Sequence, residues 1–197
     1  MIKAIGIDPG QQGAIVLVEI KTAPRLTVYL HRVYTRDKGD VGINYDHVRE
    51  AVAWQPGLVV VERQQPRGAK EPMWGGKVSV MKEASEYVGA FRVHGLAVVE
   101  MLPNEAKKAL GIGQKTVFKD GAVAWAKRLL SEEEFRGFAL GARGGQKDGN
   151  TDALAYAVAG ALSVQKWGER FEAAGRVITS LATNTQALES PTESTQP

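Results

Sequence analysis

The stretch "AIGIDPGQQGAIVLVE", residues 4–19, holds two apolar runs that are separated by Gly, Pro and Gln, and the first run ends on a carboxylate, Asp8. Residues 3–8 and 13–20 have the composition of β-strands, and the Pro- and Gly-containing segment between them is typical of a turn. An acid at the end of a buried strand either forms the turn before Pro9 and Gly10 or belongs to a site at the strand end. The rest of the chain has to distinguish these interpretations.

A third apolar run, residues 26–33, completes a predicted antiparallel meander. Beyond the meander, helical spacing is found in residues 44–54, 76–93, 103–110, 119–130 and 151–167. Two further strands are predicted between these helices, at residues 58–62 and 96–101. An antiparallel start followed by alternating helices and strands predicts an α/β fold, with a five-stranded mixed sheet flanked by helices.

The length of 197 residues suits one α/β domain, and 44% hydrophobic with 24% charged residues is typical of a soluble globular protein. We expect a single domain over residues 1–175 and a disordered tail over 180–197, where Ser, Thr, Gln and Pro are frequent. The apolar runs are shorter than the roughly 18 residues of a membrane span. The first residues resemble a strand rather than a signal sequence, so a cytoplasmic location without membrane contact is predicted.

Cysteine is absent from the sequence, which excludes disulfides, thiol nucleophiles and thiolate metal sites. The net charge is only +3, but residues 107–128 contain six Lys or Arg against one acid, Asp120. This segment is either a solvated basic face or the binding surface for a polyanion such as nucleic acid.

Four carboxylates occur at element ends. Asp8 ends the first strand, Glu62 ends the apolar run 58–61, and Asp148 and Asp152 lie at the start of the last helix. A carboxylate such as Glu62 on a covered strand is costly unless a cation or hydrogen bonds meet it. Asp148 and Asp152 share a helix face if the helix has begun by residue 148. Acids are also common at helix starts because the helix dipole favours them there.

If these acids converge, they repel one another unless a divalent cation lies between them, and carboxylate oxygens select magnesium or manganese. Two such ions, about 3.5–4 Å apart, can hydrolyse a phosphodiester without a nucleophilic side chain. His31, His47 and His94 are scattered along the chain and are more typical of surface or hydrogen-bonded residues than of ligands.

Four segments together resemble the RuvC-type Holliday junction resolvases of the RNase H-like superfamily. The segments are "IGIDPG" (5–10), "VVVERQ" (59–64), "LPNEAKKALGIGQKTVFKDGAV" (102–123) and "DGNTDALAYAVAG" (148–160). The resemblance covers residues 3–165 in the order of the family. It implies an RNase H-like fold and a homodimeric, magnesium-dependent endonuclease of DNA recombination and repair. Such an enzyme cuts two opposed strands of a four-way junction in branched DNA, with two Mg²⁺ or Mn²⁺ ions per active site.

The resemblance also implies metal ligands. Asp8 matches the ligand of the first strand, Glu62 the carboxylate that can bridge both metals, and Asp152 the ligand of the final helix. The family usually has Asp or His three residues before that final Asp, where this chain has Gly149. Asp148, one residue earlier, is therefore predicted to be the fourth ligand and to share the catalytic role.

The lysines of the family match Lys107 or Lys108 and Lys119, with Lys115 as a further candidate. Lys119 is the predicted catalytic lysine, since an ammonium group can hold the scissile phosphate and offset transition-state charge. Any one of these lysines is equally typical of an exposed helix surface. The predicted DNA-binding residues are Lys107, Lys108, Lys115, Lys119, Arg63 and Arg67.

A two-fold dimer presents two identical sites to the two equivalent strands of a junction. The helix at 76–93 is the predicted dimer interface, although Val80, Val88 and Phe91 on it are equally typical of core. Two alternatives share the site residues. One is a related RNase H-like nuclease acting on flaps, forks or RNA–DNA hybrids, and the other is a branched-DNA-binding protein that does not cut.

Overall fold

A computed structural model of the chain describes residues 1–10, 12–35, 42–64, 76–140 and 148–173, without the side chains of residues 76, 77, 148 and 167–173. The predicted tail at 180–197 therefore lies outside the described residues. Contacts divide the chain into a unit Met1–Ser163 and a second unit from Val164 onward, of which only the end of the last helix is described. The predicted domain boundary at residue 175 stays a prediction.

Five strands form one mixed sheet, and their bounds are β1 Ile2–Asp8, β2 Ala14–Lys21, β3 Thr27–Thr35, β4 Leu58–Glu62 and β5 Val98–Met101. The strand order is β3-β2-β1-β4-β5. Short turns join β1, β2 and β3, which are antiparallel. The parallel pairs β1–β4 and β4–β5 follow helical crossovers, as parallel strands require. This architecture confirms the predicted α/β fold with a five-stranded mixed sheet.

Six helices lie within the described residues: α1 Tyr45–Ala53, α2 Gly76–Val93, α3 Pro103–Leu110, α4 Phe118–Leu129, α5 Glu132–Ala139 and α6 Asp148–Ala173. The sequence prediction missed α5. This helix has only eight residues and begins with three consecutive acids, but a capping box between Ser131 and Glu134 starts it and Phe135 and Phe138 bury its inner face. In the described part of the chain, no helix has the length and apolar character needed to cross a membrane.

The two faces of the sheet are covered by different helices, because strand side chains alternate between the faces. Ala4, Val16 and Val60 face a core that α3, α4, α5 and α6 complete. Ile5, Ile7, Leu17, Val59 and Val61 face a second core that α1 and α2 complete. Val88 and Phe91 of α2 belong to this second core. Of the two alternatives, dimer interface or core, the second therefore applies to both residues.

Helix α6 lies unusually close to β1. A Cβ atom built on Gly6 would come 1.8 Å from the Ala153 carbonyl oxygen, so only glycine permits this approach. Farther along α6, a Cβ atom on Gly160 would meet Cγ2 of Val60 at 2.3 Å. The helix that carries Asp152 is therefore held directly against the two strands that end in Asp8 and Glu62.

Candidate active site

Asp8 and Glu62 lie next to each other at the ends of parallel strands. The register of β1 and β4 pairs Ala4 with Leu58 and Gly6 with Val60. Two residues farther along the same face, this register places Asp8 beside Glu62, and each carboxyl group alters the pKa of the other. Both side chains are partly buried. Acids that are 54 positions apart in the sequence, 8 and 62, are thus brought into contact.

The closeness of these acids changes their protonation. Burial raises the pKa of Asp8 well above its usual value, and the charges of Glu62, Asp152 and Glu83 raise it further. Burial also raises the pKa of Glu62, while the polar side chains of Asp8, Tyr156 and Gln64 beside it offset part of that rise. Two neighbouring carboxyl groups retain a proton more strongly than either would alone in water. A bound cation would replace this proton.

The helix α6 supplies Asp152, whose charge acts on Asp8. Asp152 directly precedes Ala153, the residue whose carbonyl oxygen approaches Gly6. Asp148 is the first residue of α6, but its side chain lies outside the described residues. Its predicted role as fourth ligand therefore stays a prediction.

A close backbone contact explains why residue 149 is glycine in this chain. A Cβ atom on Gly149 would lie 2.0 Å from the carbonyl oxygen of Gln12, in the connection between β1 and β2. No side chain fits there without a shift of this backbone contact. The position at which RuvC-type proteins usually have Asp or His is therefore closed to a ligand, and any fourth carboxylate has to come from another position.

The chemistry of the donor set fits a divalent cation. Among the side chains that the structure describes, no three Asp, Glu or His already form a group that could hold a metal ion. Mg²⁺, however, usually keeps several water ligands and takes only one or two carboxylates from the protein. Asp8 and Glu62, with the charge of Asp152 beside them, offer hard oxygen donors and a negative charge that a hydrated cation would offset.

Sequence reasoning missed Tyr156, which lies one helical turn after Asp152. Its side chain is fully buried, and its hydroxyl lowers the pKa of Glu62 although it has no hydrogen-bond partner among the described residues. Burial raises the pKa of Tyr156, and the charges of Glu62, Asp8 and Asp152 raise it further, so the hydroxyl keeps its proton. The spacing of four from Asp152 pointed to this residue, but Tyr156 lies in a stretch of α6, residues 153–161, that is buried throughout and otherwise apolar, as is typical of core.

Sequence reasoning also missed Glu83 of α2. Only 4% of its surface is exposed, and its carboxylate accepts a hydrogen bond of 3.3 Å from the backbone N–H of Gly10. The charge of Glu83 also acts on Asp8. An acid within the predicted apolar stripe of α2, three residues after Val80, was the feature that could have revealed it.

The predicted basic residues fall into different environments. Lys107 is buried, and its Nζ donates a 2.7 Å hydrogen bond to the Gln114 carbonyl, so it braces the connection between α3 and α4. Lys108, Lys115, Lys119 and Arg63 are exposed. Arg67 lies outside the described residues.

The first turn of α4 reaches the acidic cluster through aromatic packing. The ring of Phe118 lies 5.1 Å from the ring of Tyr156, measured between centroids, with a tilt of 38°. Lys119 follows Phe118 directly. Among the predicted lysines, it is therefore the one whose sequence neighbour packs against Tyr156.

No protein-family model matches the sequence, and no curated protein sequence matches it. Solved structures do match. RuvC of Thermus thermophilus is 20% identical, with a TM-score of 0.61, and the alignment covers 84% of this chain and 96% of that one. The same protein in complex with Holliday junction substrate matches with 18% identity and a TM-score of 0.55, over 83% and 96% of the two chains.

Two resolvases from other sources also match. The yeast mitochondrial Holliday junction resolvase is 14% identical, with a TM-score of 0.55 over 86% of this chain and 81% of that one. The fowlpox virus resolvase in complex with Holliday junction DNA is 12% identical, with a TM-score of 0.52 over 83% and 98%. The resemblance inferred from the four sequence segments is thereby confirmed for the fold, which is that of RuvC and related resolvases.

Proposed function

We propose that this chain, with the fold of the RuvC-type proteins, is a metal-dependent endonuclease that resolves four-way DNA junctions. The observation that carries the proposal is the contact of Asp8 with Glu62 at the ends of β1 and β4, with the charge of Asp152 directed at the same point. The matching structures support the substrate, since two of them contain Holliday junction DNA.

In this proposal, Asp8, Glu62 and Asp152 hold Mg²⁺ or Mn²⁺, and Asp148 is the candidate for a fourth ligand. Metal ions held there would supply activation of the attacking water and stabilisation of the leaving oxygen of the phosphodiester. Tyr156 and Gln64 lie beside the Glu62 carboxylate and lower its pKa, which favours the ionised form that a cation needs. Lys119 holds the scissile phosphate from the first turn of α4 and offsets negative charge that grows during cleavage.

Paired cleavage requires two sites, so we propose that the active form is a homodimer. An isologous interface would present identical acidic clusters to the two equivalent strands of a junction. With Val88 and Phe91 in the core, the interface on α2 would have to use outward residues. Val78, with 48% of its surface exposed, and Val93, with 81%, are apolar candidates. Sedimentation of the protein alone and with junction DNA tests the oligomeric state.

The decisive experiment is cleavage of a synthetic four-way junction with and without Mg²⁺, with nicks mapped on all four strands. We expect paired, symmetric nicks that require the metal and disappear in Asp8→Asn. Flap, fork and RNA–DNA hybrid substrates of matched sequence are the controls. Preferred cutting of one of these would favour the related nuclease, and junction binding without cutting at any metal concentration would favour the binding protein.

A further inference from the structure

A cavity of about 350 Å³ lies among the start of β2, the end of β3, the start of α1 and the middle of α2. We call it the aromatic cavity, because Tyr34, Tyr45, His47 and Tyr87 line it together with the carboxylate of Glu83. Its volume lies within the range of pockets that hold small ligands, about 300–1,000 Å³. The metal-binding cluster described above does not use these aromatic residues.

The aromatic cavity lies near the same end of β1 as the proposed catalytic cluster, but on the sheet face that α1 and α2 cover, whereas Asp8 and Glu62 lie on the face that α6 covers. Ala14, in its wall, is paired with Asp8 in the antiparallel register of β1 and β2. Glu83, also in its wall, accepts the hydrogen bond from the N–H of Gly10, two residues after Asp8. A nucleotide next to the cleavage point would reach this cavity around the end of β1, where the Gly10–Glu83 hydrogen bond joins the two sides.

The rings are held in place by the surrounding residues. Tyr34 and His47 stack with centroids 4.4 Å apart and an angle of 24°. The Tyr34 hydroxyl donates a 2.7 Å hydrogen bond to Glu50, and the Arg32 guanidinium lies 5.2 Å from the Tyr34 ring. Tyr45 is different, because 61% of its surface is exposed. The cavity thus combines a fixed aromatic wall with one accessible ring.

This lining selects a type of ligand. Aromatic rings bind flat, unpaired bases by stacking, and every base has a suitable face. The carboxylate of Glu83 repels phosphate, but a carboxylate accepts hydrogen bonds from exocyclic amines such as that of cytosine. A flat heteroaromatic ring with an amine fits this combination better than an anion does.

We propose that the aromatic cavity binds a nucleobase that is unstacked from the junction next to the cleavage point, with preference for the amine-bearing bases cytosine, adenine and guanine over thymine. This inference rests on the proposed function. It assigns part of the cleavage-site preference to Tyr45 and the neighbouring rings rather than to the basic residues. Taking one base out of its stack costs a few kcal/mol, least where pairing is already broken, as at a branch point.

The first test measures affinity for a labelled four-way junction in the presence of a chelator, so that binding is separated from cleavage. Tyr45→Ala is expected to weaken binding by about 5- to 150-fold, the range for loss of one stacked base. Tyr45→Phe should keep the affinity because the ring remains. Tyr29→Ala is the matched control, since Tyr29 is 52% exposed on β3 and does not line the cavity.

The second test locates the base by photocrosslinking. Junctions that carry 5-iodocytosine at single positions next to the crossover are irradiated with the wild-type protein. Crosslinks to peptides containing Tyr45 or Tyr87 support the inference. Crosslinks found only elsewhere, or equal affinities of Tyr45→Ala and wild type for the junction, overturn it.

These outcomes are distinguishable from failure of the proposed function. If the wild-type protein neither binds nor cuts a junction, the proposed function and this inference fall together. If the wild type binds and cuts a junction while Tyr45→Ala behaves identically, only the cavity inference falls.

Discussion

The carboxyl groups of Asp8 and Glu62 lie side by side at the ends of β1 and β4, on the face of the sheet that α6 covers, and each alters the pKa of the other. Without a cation, this contact places two acids where burial and mutual repulsion oppose their ionisation. The same contact concentrates negative charge at one point, which favours a cation. These two carboxyl groups therefore lower the stability of the metal-free protein and, for the same reason, raise its affinity for a metal ion.

The first prediction concerns Asp8→Asn. The amide removes one charge from the cluster, so we expect loss of junction cleavage and a gain in metal-free stability on the order of 1 kcal/mol. For a domain of this size, that gain corresponds to a rise in Tm of about 2–4 °C. Nicking assays and thermal unfolding in a chelator measure both effects, with junction affinity unchanged as the control. Full cleavage by the variant would contradict the proposed chemistry.

The second prediction concerns pH. The raised pKa values of Asp8 and Glu62 mean that the folded protein retains protons that the unfolded chain releases. Their stabilising contribution is full below the unfolded pKa values, near 4, and is lost as the pH rises through the folded values. In a chelator, the unfolding free energy of the wild type should therefore fall relative to Asp8→Asn between pH 4 and pH 8.

Denaturant titrations of both proteins across this pH range measure the difference. Adding Mg²⁺ at pH 8 should restore stability to the wild type and much less to the variant, because a ligand that binds only the folded state stabilises it. A wild type that gains stability relative to the variant as the pH rises would contradict the raised pKa values.

The third prediction concerns Tyr156→Phe. Phenylalanine fills the same buried space beside Phe118 but removes the hydroxyl that interacts with Glu62. We expect cleavage to slow by about 10- to 100-fold or to need more Mg²⁺, as is usual when a group that orients a ligand is lost. Junction affinity in a chelator should stay the same. Tyr29→Phe is the control, and an unchanged rate and metal requirement would remove Tyr156 from the site.

The fourth prediction concerns Lys119→Ala. Loss of one phosphate contact should slow cleavage and reduce the slope of log affinity against log salt by about one. Lys127→Ala is the control on the same helix, because the Lys127 ammonium lies over the Phe135 ring at 5.4 Å, near the other end of α4. Equal rates and equal slopes for both variants would show that Lys119 contacts no phosphate.

The fifth prediction concerns Gly149→Ala. The added Cβ atom would collide with the Gln12 carbonyl oxygen, so we expect a loss of about 1–3 kcal/mol in unfolding free energy. Gly137→Ala in α5 is the control, since a Cβ atom there meets nothing within 4 Å. That control should be neutral or slightly stabilising, because alanine favours helix. Equal stability of the two variants would contradict the close packing at Gly149.

The sheet and the Asp8–Glu62 contact could be predicted from sequence for physical reasons. Apolar runs that end on acids identify strand ends, and parallel strands bring their carboxyl ends to one edge. Tyr156 and Glu83 could not be found in this way, because each lies in a helix among residues that are mostly apolar. Only the packing of α6 and α2 on the sheet shows that these residues point at the acids.

The short helix α5 and the role of Gly149 were hidden for related reasons. Charged residues dominate the first turn of α5, and its two phenylalanines become a core face only against α4. Gly149 departs from the RuvC pattern in sequence, but the cause is a backbone atom of Gln12. Contacts between distant backbone atoms leave no periodic trace in a sequence.

Gly6 has a hydrogen atom where other residues carry Cβ. This absence of a side chain sets the spacing between the last helix and the sheet. One methyl group at that position would lift α6 away and carry Asp152 out of reach of Asp8, although every acid in the chain would be intact. A substitution could thus abolish the proposed activity at a residue that has no functional group and no direct part in the acidic cluster.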